Sequence, residues 1–132
     1  MNIYDLYGLK VDNIEQAKLL LEPVLDVHFE LRESMYIGEY YLGKINREKR
    51  YVIQNNYHER EGWIEEKYKY FNILLYVNDP PNPDELHKKI VNLSDAVCLL
   101  LRRITNDGQW RKELHFVKGQ FKIVSEKKLL MI

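Results

Sequence analysis

The sequence predicts an α+β fold: a mostly antiparallel sheet with two helices packed on one face, in a single domain over residues 1–132. Three observations predict it. Strand-like runs outnumber helix-like runs. The strand runs are not separated by the regular crossover helices that a parallel sheet needs. Both helix-like segments open on capping signals, and no Pro/Gly/Ser-rich linker, low-complexity stretch or internal repeat divides the chain.

Taken in order, Ile3 to Leu9 is apolar and tyrosine-rich and reads as a first strand. Asp12 with Glu15 predicts a capping box, and Ile14, Ala17, Leu21, Val24 and Leu25 share one helical face. Pro23 should kink that helix or end it near Glu22. Val27 to Arg32 alternates apolar and polar, the pattern of a strand with one face in the core. Tyr36 to Ile45 and Arg50 to Tyr57 form a hairpin around Asn46, and the charged stretch His58 to Lys69 reads as a long loop. Phe71 to Val77 is apolar on both faces and should be central. Asn82, Pro83 and Glu85 open a second helix, with Leu86, Ile90 and Leu93 as its buried stripe. Ala96 to Ile104 is another buried strand. Asp107-Gly108 turns it into a return strand from Trp110 to Val117, and Phe121 to Ile132 adds an edge strand or lies along the surface.

Composition narrows the function classes. Hydrophobic residues make up 45% and charged residues 30%, the balance of a folded domain. A chain this long hides roughly two-thirds of its unfolded surface, so the core needs no metal or disulfide. The single cysteine, Cys98, sits in the apolar run 96–101 and reads as a buried hydrophobe. The N-terminus lacks the basic and apolar regions of a signal peptide, no apolar run is long enough to span a membrane, and a cytoplasmic location is expected. The formal net charge is zero but unevenly spread. Residues 1–42 hold eight acids against three bases, and residues 102–132 eight bases against three acids. The two segments either neutralise each other in the fold or offer a basic partner and a nucleic acid separate surfaces.

No motif carries recognisable chemistry. There is no phosphate loop, HExxH, GxSxG or paired-cysteine metal motif, so no cofactor and no metal is expected. His58, His115 and Lys118 are the one triple that could be nominated for acid–base cleavage of RNA. Arg102-Arg103 and Trp110-Arg111-Lys112 interleave basic and aromatic residues as single-strand binders do, but the sequence pI of about 6.9 argues against a dedicated nucleic-acid protein. Tyrosine is the stronger signal. There are ten, and Tyr36, Tyr40, Tyr41, Tyr51, Tyr57, Tyr68 and Tyr70 cluster. Strand parity puts Tyr36, Gly38 and Tyr40 on one face, with Glu39 and Tyr41 on the other. Tyrosines beside carboxylates suit a protein interface, and Gly38 would leave room for the close approach of another backbone.

Four stretches carry a resemblance: Tyr4 to Leu9, Glu33 to Tyr41, Gln54 to Tyr57 and Leu74 to Asn78. The chain between about residues 3 and 104 resembles small bacterial immunity proteins of polymorphic toxin and contact-dependent growth inhibition systems. The ending Glu39-Tyr40-Tyr41 is kept, whereas Met35 stands where a small residue is expected, and the region after Thr105 matches nothing in the family. The resemblance implies neutralisation of a cognate toxin domain, often a nuclease with a basic cleft, by tight binding. It does not locate the surface. From their chemistry, Glu33, Tyr36, Glu39, Tyr40, Tyr41, Asn55 and Tyr57 are the candidate binding residues. The alternative is a nucleic-acid-binding or nucleic-acid-processing protein that uses the basic C-terminal region.

Overall fold

The computed structural model describes residues 1–46, 49–93 and 98–129. Asn2–Leu9 forms β1, and Ile14–Leu25 forms α1. The cap of α1 is Asn13, whose side chain accepts from the Gln16 N–H at 2.9 Å, while the Gln16 side chain accepts from the Asp12 N–H at 3.1 Å. The box therefore lies one residue beyond the predicted Asp12–Glu15 pair, because Asn13 is still fully extended, with φ −158° and ψ 173°. The helix also continues through Pro23 to Leu25 instead of stopping at Glu22. So near the C-terminus the proline removes one hydrogen bond without ending the helix. Asp26, in the left-handed region, closes it by donating its N–H to the Glu22 carbonyl.

The remaining elements are β2 (Phe29–Ser34), β3 (Gly38–Lys44), β4 (Arg50–Asn55), a short ribbon of β5 (Tyr57–His58) and β6 (Gly62–Trp63), a 3-10 turn at Glu66–Tyr68, and β7 (Ile73–Asn78). Then come α2 (Pro83–Val91), β8 (Cys98–Asn106), β9 (Trp110–Val117) and β10 (Gln120–Lys128). Eight of the strands make one sheet in the order β10-β9-β8-β1-β7-β4-β3-β2. Every pairing is antiparallel. The α+β architecture is as predicted, with both helices on one face.

The segment read as a long loop contains the β5–β6 ribbon and the 3-10 turn. Tyr36 lies in the turn before β3, not in the strand. Ala96 and Val97, predicted to begin β8, lie outside the described residues. The final strand takes the edge.

Central position accounts for the apolar faces of β7. Ile73, Leu75 and Val77 join Tyr7, Leu9, Ile53 and Leu100 beneath α1 and α2, which contribute Ala17, Leu21 and Ile90. Leu74, on the opposite face, joins Leu6, Phe71 and Leu101 in a second cluster beneath the chain that links β4 to β7, with Ile64, Tyr68 and Tyr76 packed against it. Gly8 permits this second cover, since a Cβ there would sit 2.4 Å from the Phe71 ring. A register shift between Leu6 and Tyr7 leaves Leu101 without a partner on β1, as in a β-bulge. Arg102 then turns to one face and Arg103 to the other.

Both arginines clamp the layers. Arg103 binds Asp5 through two bonds of 2.8 and 3.0 Å and reaches Asp84 of α2 at 3.1 Å. Arg102 binds both oxygens of Glu65 at 3.0 and 3.1 Å, and the Tyr76 hydroxyl donates to Glu65 at 2.6 Å. Burial, with Glu65 as its acceptor, pushes the Tyr76 hydroxyl well above its ordinary range. The covering chain is tied down further by Asn56, which is fully buried. Its side-chain amide donates to the carbonyls of Tyr68 and Phe71, both at 2.9 Å, and its oxygen accepts from the Glu65 N–H at 2.8 Å.

Candidate functional site

The charge asymmetry is resolved in two ways. Asp5 and Arg103 neutralise each other in the core. The acids of β2–β3, Glu30, Glu33 and Glu39, are separated from the bases of β9–β10, because the two hairpins lie at opposite edges of the sheet. Seven strand spacings of ~4.8 Å separate those edges by about 34 Å. The span from Trp110 to Lys128 holds six bases against two acids, and Lys127 is the direct cross-strand partner of Arg111.

The nominated triple does not converge. The His58 ring lies against Gly38, and its Nδ1 accepts from the Arg60 N–H at 3.2 Å. His115 belongs to β9, four strands away from β4, where it pairs with Glu113 at 3.0 Å and stacks near Tyr68. That contact holds the Glu113 carboxyl below its ordinary value. Lys118 stands in the β9–β10 turn. Among the described residues no group of His, Cys, Asp and Glu could hold a metal ion. Cys98 is buried, and burial pushes its thiol up to about 12.

The candidate binding residues are sorted by strand parity and burial. Glu33 and Glu39 are direct cross-strand partners on the helix-bearing face of the β2–β3 hairpin, one row beyond the Leu31–Tyr41 pair. Both are exposed, and among the described residues neither has an ion pair. Two carboxylates directly opposite each other are mutually destabilising. Tyr36 is 70% exposed at the hairpin turn beside Met35, which is 75% exposed. Asn55 and Tyr57 lie at the same end of the sheet. With Ile37, Glu39, His58 and Arg60 they line an open cleft of about 440 Å³. Tyr57 packs edge-on against Trp63, with ring centres 5.2 Å apart.

Five candidates are thus gathered at one end: Glu33, Tyr36, Glu39, Asn55 and Tyr57. Two are not. Tyr40 faces the other side of the sheet, between Arg32 and Gln54. Tyr41 packs against the main core, with the Lys18 ammonium 5.2 Å from its ring centre. Elsewhere in the tyrosine cluster, Tyr51 is core, Tyr68 packs on the second cluster, and Tyr70 is exposed beneath the Lys10 ammonium. The room at Gly38 is taken by the chain's own His58, since a Cβ there would meet that ring at 3.3 Å. Gly38 also has φ +71°, which favours glycine.

Sequence reasoning missed Leu31, which is 54% exposed. The clean alternation of Val27 to Arg32 places it in the core, but only Phe29 of β2 is buried, because β2 is the outermost strand. Trp63 and Met35 were missed as well, and no local pattern marks them as surface residues. Comparison with protein-family models, curated proteins and solved structures returned no match. Among the described residues no helix is long and apolar enough to cross a membrane.

Proposed function

We propose that the protein acts by binding another protein, as the immunity partner of a bacterial toxin domain, through the acidic end of the β2–β3–β4 region. The observation that carries this reading is the Glu33–Glu39 cross-strand pair, without an ion pair among the described residues and beside exposed Leu31, Met35 and Tyr36. Like charges placed directly opposite are unfavourable, and a basic partner surface supplies the counter-charge. Exposed aromatic and aliphatic side chains next to it supply area for slow release, while the acids speed encounter. The basic cleft of a nuclease is the matching chemistry, and occupation of that cleft excludes nucleic acid.

The test is to measure melting and partner affinity on the same variants, first establishing whether a neighbouring gene encodes a toxin domain and using that domain as the partner. Glu39→Lys removes a like-charge pair, so the free protein should gain about 0.2–1 kcal/mol. Affinity for the toxin should fall by about 2 kcal/mol or more, and Tyr36→Ala should weaken binding without lowering stability. Full affinity in both variants would refute this surface. Tyr41→Ala is the contrasting control, and it should lower the melting temperature because that ring packs on the core.

A second reading rests on the Arg111–Lys127 pair, two cations side by side that suit contact with phosphates. Fluorescence anisotropy with a single-stranded oligonucleotide decides it. Binding that weakens steeply with salt and is lost in Arg111→Glu would establish this reading. No binding at low salt would remove it.

A further inference from the structure

The two edges of the sheet are built differently. β10 is nine residues long and carries Lys122, Lys127 and Lys128, with a register shift between Ile123 and Ser125 that leaves Val124 out of the ladder. Lysines and bulges are the devices that keep edge strands from pairing with other chains. β2 has neither. Its six residues contain no lysine and no proline, and its register with β3 runs unbroken from Phe29 to Ser34. Its one arginine is held by Glu30 at 2.9 Å. Among the described residues no strand pairs with its outer side. At the β2 edge the Glu22 carboxylate accepts from the Phe29 N–H at 2.9 Å, while from Glu30 to Ser34 no strand covers the edge among the described residues.

We infer that the outer edge of β2 takes up an extended segment of a protein partner as a ninth strand of the sheet, and that this segment carries an apolar residue and a basic residue two positions apart. The side chains of β2 set that pattern. On the helix-bearing face the edge offers Leu31 and then Glu33, backed by Tyr41 and Glu39. A strand laid beside it places alternate side chains next to these two positions. An apolar side chain there covers Leu31. A lysine or arginine two residues along meets two carboxylates that have no ion pair among the described residues. The backbone supplies ladder hydrogen bonds that need no particular sequence, while the Leu31–Glu33 row selects the segment. The partner's identity as a toxin rests on the proposed function above, but the chemistry of the edge does not.

The experiment uses the full chain, nitrogen-15 labelled, titrated with the synthetic peptide acetyl-Thr-Val-Thr-Lys-Thr-Val-Thr-amide. Amide shifts should concentrate on residues 30–34. A peptide with glutamate in place of lysine should bind at least tenfold more weakly, and Glu33→Lys should reverse that preference. Two further peptides, N-methylated at the odd or at the even positions, separate strand addition from simple charge attraction. Alternate amides of a strand face the same edge, so one methylated peptide should lose binding and the other keep it. Equal binding of both methylated peptides, shifts centred outside β2, or no shift at millimolar peptide would each overturn the inference. If the peptide fails while Glu39→Lys still abolishes toxin binding, strand addition falls and the protein-binding reading stands.

Discussion

Asn56→Ala tests how the chain between β4 and β7 is held on the sheet. The side chain is fully buried and makes three hydrogen bonds of 2.9 Å or less, to the Tyr68 and Phe71 carbonyls and the Glu65 N–H. Alanine removes all three and leaves those backbone groups without the side chain that satisfied them. At about 1 kcal/mol net per bond, the loss is about 3 kcal/mol. An unfolding entropy of about 2.1 cal/mol/K per residue converts this, for a chain of 132 residues, to a fall in melting temperature of about 10 °C. Circular dichroism melts and urea titration give the two numbers independently. Hydrogen exchange at Ile64 and Glu65 should rise as well, because their amides bond to the Asn56 backbone and side chain. Asn55→Ala is the internal control: its side chain is half-buried and takes no part in these bonds, so stability should change by less than about 0.5 kcal/mol. A fall of under about 3 °C in Asn56→Ala, or equal effects in the two variants, would refute the anchoring role.

Three other outcomes are expected. Arg103→Met should cost about 3–5 kcal/mol in urea titrations, since it strands a buried carboxylate, and the double variant Asp5→Leu/Arg103→Met should recover most of that loss. Burial raises the Asp5 carboxyl above its ordinary value of 3.8 even though Arg103 pulls it down, so the folded state binds this proton more tightly than the unfolded chain. Its contribution to stability is therefore fully present below pH 3.8 and is lost as pH rises through the folded value. A carbon-13 titration should place the midpoint above 3.8, and a midpoint at or below it contradicts the argument. Cys98, with its thiol pushed up to about 12, should not react with a disulfide reagent at pH 8 until urea unfolds the protein.

Local chemistry was legible in the sequence. The Asn82-Pro83-Glu85 start of α2 is the observed cap: the Asn82 side chain accepts from the Glu85 N–H and donates to its carboxylate. Asp107 turns β8 into β9 by accepting from the N–H groups of Gln109 and Trp110. The two-sided apolar run of β7 announces a central strand. Each of these depends on residues within a few positions of one another, so composition and spacing suffice. The same holds for the buried Cys98 and for the α+β class itself.

What the sequence could not decide is which strand lies at the edge and what covers each face. Val27 to Arg32 alternates like a half-buried strand, yet Leu31 is exposed because β2 has a neighbour on one side only and lies at the rim of the helix layer. Asn55 and Asn56 are chemically identical neighbours, but strand parity turns one to the cleft and the other beneath a covering segment whose Phe71 carbonyl, 15 positions further along the chain, it holds. The acidic and basic thirds could have met or parted. The pairing of β1 with β8 put Asp5 beside Arg103, and strand order left the Glu33–Glu39 hairpin at the opposite edge from Arg111 and Lys127. Burial and charge pairing are sums over neighbours distant in the chain, so only the tertiary structure assigns them.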